Sequence, residues 1–174
     1  HLLLVVRGPM GPRVRRLPAG RGWIVGDLYR RDFGPVAADE ADHLMISRTC
    51  PARVIAERLC ETYWGRYVAV IDPGVEGGAV FRDPSGAVDA LTWSAGGLSL
   101  AGSHMPGWLP PQAMPDLAFD WPTIARWLVD GSVAAVTSGL RNVRSVTPGA
   151  LAQVGGDEVQ VWRPASFARA SATC

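Results

Sequence analysis

The stretch from Arg66 to Trp93, RYVAVIDPGVEGGAVFRDPSGAVDALTW, leaves few architectures open. Val68, Val70 and Ile71 form one β-branched run, Ala79 to Phe81 a second and Val88 to Trp93 a third. Dense turn chemistry separates them. Asp72-Pro73-Gly74 with Gly77-Gly78 is the first break. Arg82-Asp83-Pro84-Ser85-Gly86 is the second, where Asp bonds back to the backbone, Pro sets φ and Gly accepts φ > 0. The segment predicts a meander of three short strands, and the rest of the chain must pack on the sheet they begin.

On either side the pattern stays strand-heavy. Leu2 to Arg7 reads as a buried strand, Arg13 to Leu17 as a polar one and Gly22 to Tyr29 as a third, with a turn at Pro18-Ala19-Gly20. Arg30 to Asp42 has no period and reads as loop. A helix is predicted from Pro51 to Trp64, with Thr49 as N-cap, Val54, Ile55, Leu59 and Tyr63 on its buried face, and Gly65 ending it. Leu98 to Ala101 adds a strand to the meander, and Gly102 to Leu117 is an ordered, Pro-rich loop. A second helix is predicted from Trp121 to Asp130, with Asp120 as N-cap, Gly131 as C-cap and Ile124, Ala125, Leu128 and Val129 as its buried stripe. Thr137 to Val146 is loop or short strand. A hairpin of Ala150 to Val154 and Glu158 to Trp162 closes the order. The pattern is α+β with few helices.

Composition narrows the function classes. The chain has 174 residues, 48% hydrophobic and 19% charged, enough for one domain with a real core. Its formal net charge of +1 gives no general pull toward nucleic acid or acidic lipid. All 17 basic residues are Arg, so a P-loop, a Schiff-base lysine and a lysine general base are excluded. Cys50, Cys60 and Cys174 suggest no disulfide framework. Cys50 and Cys60 fall near the two ends of one predicted helix, on the order of 15 Å apart, which points to a reducing, cytoplasmic setting. Leu2 to Val6 is too short to span a bilayer.

Several constellations have a plain structural reading beside the chemical one. His43 and His104 lie in loops, and no H-x-x-x-H or C-x-x-C spacing suggests a metal. Ser103 and His104 are adjacent, which is not triad geometry, and no G-x-S-x-G is present. Cys50 at a helix start reads as a packed small hydrophobe. Arg82 and Asp83 resemble a clamp and an acid. The plainer expectation is that they fix the turn with Pro84 and Gly86, Asp83 bonding backbone amides and Arg82 answering a nearby carboxylate.

The stretches WGRYVAVIDPGVEGGAVFRDPSGAVDALTW, IVGDLYR and SVTPGALAQV, taken in order, resemble the N-terminal class II glutamine amidotransferase domain of the asparagine synthetase family. The first is similar to that family's strand–turn–strand ending in R-D-x-x-G, the second to its N-G-E-I-Y-N strand and the third to its late P-G hairpin. The resemblance implies an N-terminal-nucleophile hydrolase fold, an αββα sandwich of mainly antiparallel sheets, over residues 1–162. Residues 163–174 would then be a tail or linker toward an ATP-dependent synthetase domain.

The departures from the family carry the functional expectation. The family's nucleophile is a mature N-terminal Cys, whereas the first residue here is His1 and no Cys precedes Cys50. The family's oxyanion-hole Asn matches Val25, which has no donor side chain, and the acidic residue beyond it survives as Asp27 after Gly26. The Asp that grips the glutamine amine is replaced by Ser47-Arg48-Thr49, and the one Asn in the chain is Asn142. The resemblance therefore implies a degenerate glutamine pocket at Val25, Gly26 and Asp27, with no catalytic residue and no metal. W-G-R-Y, R-D-P-S-G, D-W and W-x-P-A look most like the lasso-peptide macrolactam cyclases, with the β-lactam synthetases next. The implied role is a non-catalytic domain supporting a synthetase domain and contacting a precursor peptide. No cofactor is expected in this domain, and ATP and Mg2+ belong to the synthetase part, whose S-G-G-x-D-S loop is not in this chain. Two other readings stay open: a free-standing binding module with a surface around Trp108 and Pro110-Pro111, and an active glutaminase whose Cys lies upstream of His1. No nucleic-acid or membrane partner is expected.

Overall fold

The computed structural model describes residues 13–30, 44–72, 78–105, 107–115, 117–154 and 156–165. The predicted strand Leu2–Arg7, nearly all of the loop from Arg30 to Asp42, the Pro73–Gly77 turn and most of the C-terminal tail lie outside these residues. In chain order the elements are β1 (Val14–Arg16), β2 (Gly22–Arg30), α1 (Ala52–Thr62), β3 (Tyr63–Ile71), β4 (Ala79–Arg82), β5 (Leu91–Ala95), β6 (Leu98–Gly102), α2 (Trp121–Val129), β7 (Val143–Ser145), β8 (Ala150–Gln153) and β9 (Glu158–Gln160). One sheet has the order β1-β2-β3-β4-β8-β9 and the other β6-β5-β7, and every pairing is antiparallel. The fold class is α+β, as the sequence predicts.

β2 and β3 make the long central pair, in register from Gly22 opposite Ile71 to Arg30 opposite Tyr63. Alternation divides their side chains between the two faces. Ile24, Leu28, Tyr63, Tyr67, Ala69 and Ile71 point to one side, where Ile55, Ala56 and Leu59 of α1 meet them with Phe81 and Leu151. On the other side Val68 and Val80 pack with Ala90, Val146, Ala150 and Ala152. Ala90 and Val146 border β5 and β7, and Val146 N donates to Ala90 O at 2.8 Å. The three-stranded sheet thus attaches through the β4–β8 half of the larger one.

Four expectations change. The meander ends after two strands: β4 takes β8 as its second neighbour, and β5 leaves for the other sheet. Gly65 does not end α1, because the chain runs straight into β3 at Tyr63. Gly65 lies within the strand, φ +155, where an added Cβ would sit 2.2 Å from Asp27 O. Thr49 does not cap α1. The N-cap is Pro51 without a side-chain bond, and Thr49 Oγ1 lies 3.3 Å from Ser47 Oγ.

The fourth change is the orientation of α2. Asp120 caps it as expected, accepting from Thr123 N, but its C-cap is Asp130, and Gly131 opens a 3-10 turn instead. Thr123 is its buried residue, with Ile124 and Trp127 half-buried. The Trp127 ring lies over Gly139, and its Nε1 donates to Thr137 Oγ1 at 2.9 Å. That packing turns the predicted stripe outward: Leu128 is 87% and Val129 91% exposed, and Ala125 is exposed too.

Candidate functional site

The predicted pocket positions Val25, Gly26 and Asp27 stand in the middle of β2, and the antiparallel register decides what surrounds them. Val25 faces away from α1, between Val14 of β1 and Val68 of β3. Asp27 lies on the same face opposite Arg66, and Tyr29 opposite Trp64. Gly26 turns toward the α1 side with φ +124, and an added Cβ would sit 2.3 Å from Arg66 O. Only glycine allows β3 to approach so closely there. Its N–H donates to Arg13 O at 2.9 Å, and its carbonyl accepts from Arg15 Nη1 at 3.1 Å.

The Asp27 carboxylate is occupied. Arg66 Nε donates to its Oδ2 at 2.7 Å, and Arg13 Nε lies 3.9 Å from Oδ1. The bond to Asp27 raises the Arg66 guanidinium above its ordinary pKa, so Arg66 stays charged. Beside it Tyr29 and Trp64 stack with ring centroids 4.9 Å apart, and Trp64 Nε1 donates to Arg30 O at 3.0 Å. This open half-face therefore carries aliphatic surface at Val14 and Val25, an aromatic pair, and guanidiniums around one carboxylate.

Among the described residues no thiol is part of it. Cys50 and Cys60 are buried in the layer between α1 and the opposite side of the sheet. Val25 presents only methyl groups, and its amide belongs to the pairing with Val68. Ser47, Arg48 and Thr49 precede α1, where Arg21 Nη1 donates to Cys50 O at 2.7 Å and anchors the approach to the helix.

The Arg82–Gly86 turn is a separate constellation, with Arg82 and Asp83 buried and Ser85 exposed. Asp83 is 1% exposed. Its Oδ1 accepts from Tyr67 N at 3.2 Å and its Oδ2 from Ser85 N at 2.8 Å. Burial pushes its carboxyl up, against the pull of the Ser85 and Tyr67 bonds and of Arg82. Pro84 occupies the second position of the turn, Gly86 N donates back to Asp83 O at 3.1 Å, and Gly86 adopts φ +63. Arg82 donates from Nε to Val88 O at 2.9 Å, from Nη1 to Val146 O at 2.9 Å, and from Nη2 to Gly86 O at 2.7 Å and Asp89 Oδ1 at 2.8 Å. These bonds stitch β4, its turn and the end of β7 together.

Ser103 Oγ lies 3.1 Å from His104 Nδ1 in an exposed loop, and no carboxylate bonds to His104 among the described residues. Among those residues no three His, Cys, Asp or Glu side chains converge as a metal site would need. No described helix is long and apolar enough to cross a membrane. Arg13, Tyr29, Trp64 and Arg66 are the site residues that sequence reasoning missed. The alternation of β2 and β3 is readable in the sequence, but which residue of one strand faces which residue of the other is not.

Compared with protein-family models, with curated proteins and with solved structures, the chain matches none.

Proposed function

We infer that this chain is a non-catalytic glutaminase-like domain, of the N-terminal-nucleophile sandwich type, from an asparagine-synthetase-type ATP-dependent amide-forming enzyme. Within that group W-G-R-Y, R-D-P-S-G and W-x-P-A look like the wording of the lasso-peptide cyclases, the parent reaction being macrolactam closure on a precursor peptide. One observation carries the reading. At the two positions that the resemblance matches to a glutaminase's oxyanion donor and acidic group, Val25 offers methyl groups and Asp27 is bridged by Arg66 and Arg13. The described thiols supply no substitute, since Cys50 and Cys60 lie across the sheet. Losing the oxyanion donor removes orders of magnitude of rate. ATP and Mg2+ belong, in this reading, to the synthetase domain, and the amine that attacks is intramolecular, so no ammonia is needed.

The test is direct. The purified 174-residue chain given glutamine is expected to release no ammonia above the uncatalysed level. Turnover that disappears when a thiol is blocked overturns the reading. An S-G-G-x-D-S segment downstream in the same reading frame is expected. Its absence favours a free-standing binding module, to which the half-exposed Trp108 and the outward stripe of α2 lend support.

A further inference from the structure

Among the described residues β1 is the end strand of the larger sheet, and no described strand pairs with its outer edge. Gly26 N donates to Arg13 O at 2.9 Å and Leu17 N to Gly22 O at 2.9 Å, with Val14 opposite Val25 and Arg16 opposite Trp23. In an antiparallel ladder the bonded pairs alternate. Residues 13, 15 and 17 therefore turn their backbone groups toward β2, while Val14 and Arg16 turn theirs away. Among the described residues no hydrogen bond engages these outward groups, and both residues are exposed. An edge in this state is a template for another strand.

Charge decides which strand. Arg16 stands on the open face across from Trp23, and Arg13 and Arg66 stand near Asp27, the one carboxylate bound there among the described residues. A second copy pairing edge to edge would bring arginines together, which disfavours it. A segment carrying carboxylates meets complementary charge, and its backbone supplies the missing partners for Val14 and Arg16.

We propose that the β1 edge takes an extended acidic peptide segment as an added antiparallel strand, with a carboxylate opposite Arg16 and an apolar side chain opposite Val14. The strand period spaces these two side chains two positions apart, acid first, so the recognised pattern is acid-x-apolar. Val14, Val25 and the Trp23 ring give the apolar side chain its surface, and Arg13 offers a second guanidinium at the same end. The proposal does not rest on the enzymatic reading above, because the edge and its charges exist whatever the parent protein catalyses.

Fluorescence anisotropy with a labelled, N-acetylated peptide TTETVTT and the full chain tests it. Saturable binding that weakens with salt is expected. The lysine peptide TTKTVTT is expected to bind about tenfold more weakly. Arg16→Glu should lose about tenfold for the acidic peptide and recover binding of the lysine peptide. Val14→Pro, which removes an outward N–H that the native sheet does not use, should lose about fivefold. Far-UV circular dichroism checks that both variants fold. Absence of saturable binding, or binding indifferent to both substitutions, overturns the proposal. So does a single-stranded oligonucleotide that binds more tightly and responds to Arg16→Glu but not to Val14→Pro, since the face would then be a polyanion site. Concentration-dependent dimerisation lost in Val14→Pro also overturns it, assigning the edge to a second copy.

Discussion

Replacing Arg82 by Met asks how much of the attachment between the two sheets one guanidinium carries. Arg82 is 2% exposed and donates to the carbonyls of Gly86, Val88 and Val146 and to Asp89. Met fills a comparable volume and donates nothing. A buried acceptor stripped of its donor costs about 1–3 kcal/mol. The bond to Val146 is fully buried, whereas those to Gly86 and Val88 are partly reached by water, so the low end applies to these two. The sum is about 3–5 kcal/mol, a large share of the roughly 5–15 kcal/mol that a domain has. The thermal midpoint should fall by about 6–20 °C. Urea unfolding followed by tryptophan fluorescence, with an unchanged slope, reads the free energy directly. Asp89→Ala is the control. The Asp89 side chain is 70% exposed, so losing it should cost about 1 kcal/mol or less. If Arg82→Met stays within about 1 kcal/mol of wild type, or Asp89→Ala costs as much as Arg82→Met, the backbone carbonyls are not what the guanidinium holds.

Three further outcomes are expected. Burial lifts the Asp83 carboxyl above its ordinary 3.8, so the folded chain binds that proton more tightly than the unfolded one. Its contribution is full below pH 3.8 and is lost as pH rises through the folded value, so the stability of wild type relative to Asp83→Asn should decline above 3.8. A difference that stays flat with pH in chemical denaturation would count against this. Gly26→Ala should cost at least about 3 kcal/mol, because φ is positive and the new Cβ strikes the Arg66 carbonyl. Gly97→Ala, with positive φ but open space, should cost clearly less in the same melt. Leu59→Ala should lose about 2–5 kcal/mol and Leu128→Ala less than about 0.5. Equal losses would mean that α2 is packed the other way round.

Much of the element order was legible because its signals are local. Asp83-Pro84-Ser85-Gly86 needs only its own residues to make a turn, and Asp120 caps the first turn of α2 three residues away. The tight Gly96-Gly97 connection and the hairpin of β8 and β9 are local in the same sense. Gly65 misled for the opposite reason. A glycine after a helical run is the ordinary stop signal, but this one serves a cross-strand approach to Asp27, a residue distant in the chain. The candidate site divides along the same line. Val25, Gly26 and Asp27 were named by the resemblance of one stretch, and they lie along one strand. Arg66, Trp64 and Arg13 were not, because they join the site only through the pairing of β2 with β3 and β1.

The sequence by itself determined most turns and strand runs of the described residues, that the class is α+β, and that position 25 carries no donor side chain. These follow from φ preferences, side-chain period and residue identity, all local properties. Tertiary structure alone decided that β5 leaves the first sheet and β8 takes its place, that Asp27 is bridged by Arg66, and that α2 turns Leu128 and Val129 outward. Those outcomes depend on which surfaces compete for burial. α2 has apolar residues on more than one side, and the fit of Trp127 over Gly139 selected which side went in. The outer edge of β1 belongs to the same class, because a strand's backbone groups are satisfied or left free only by what the fold sets beside them.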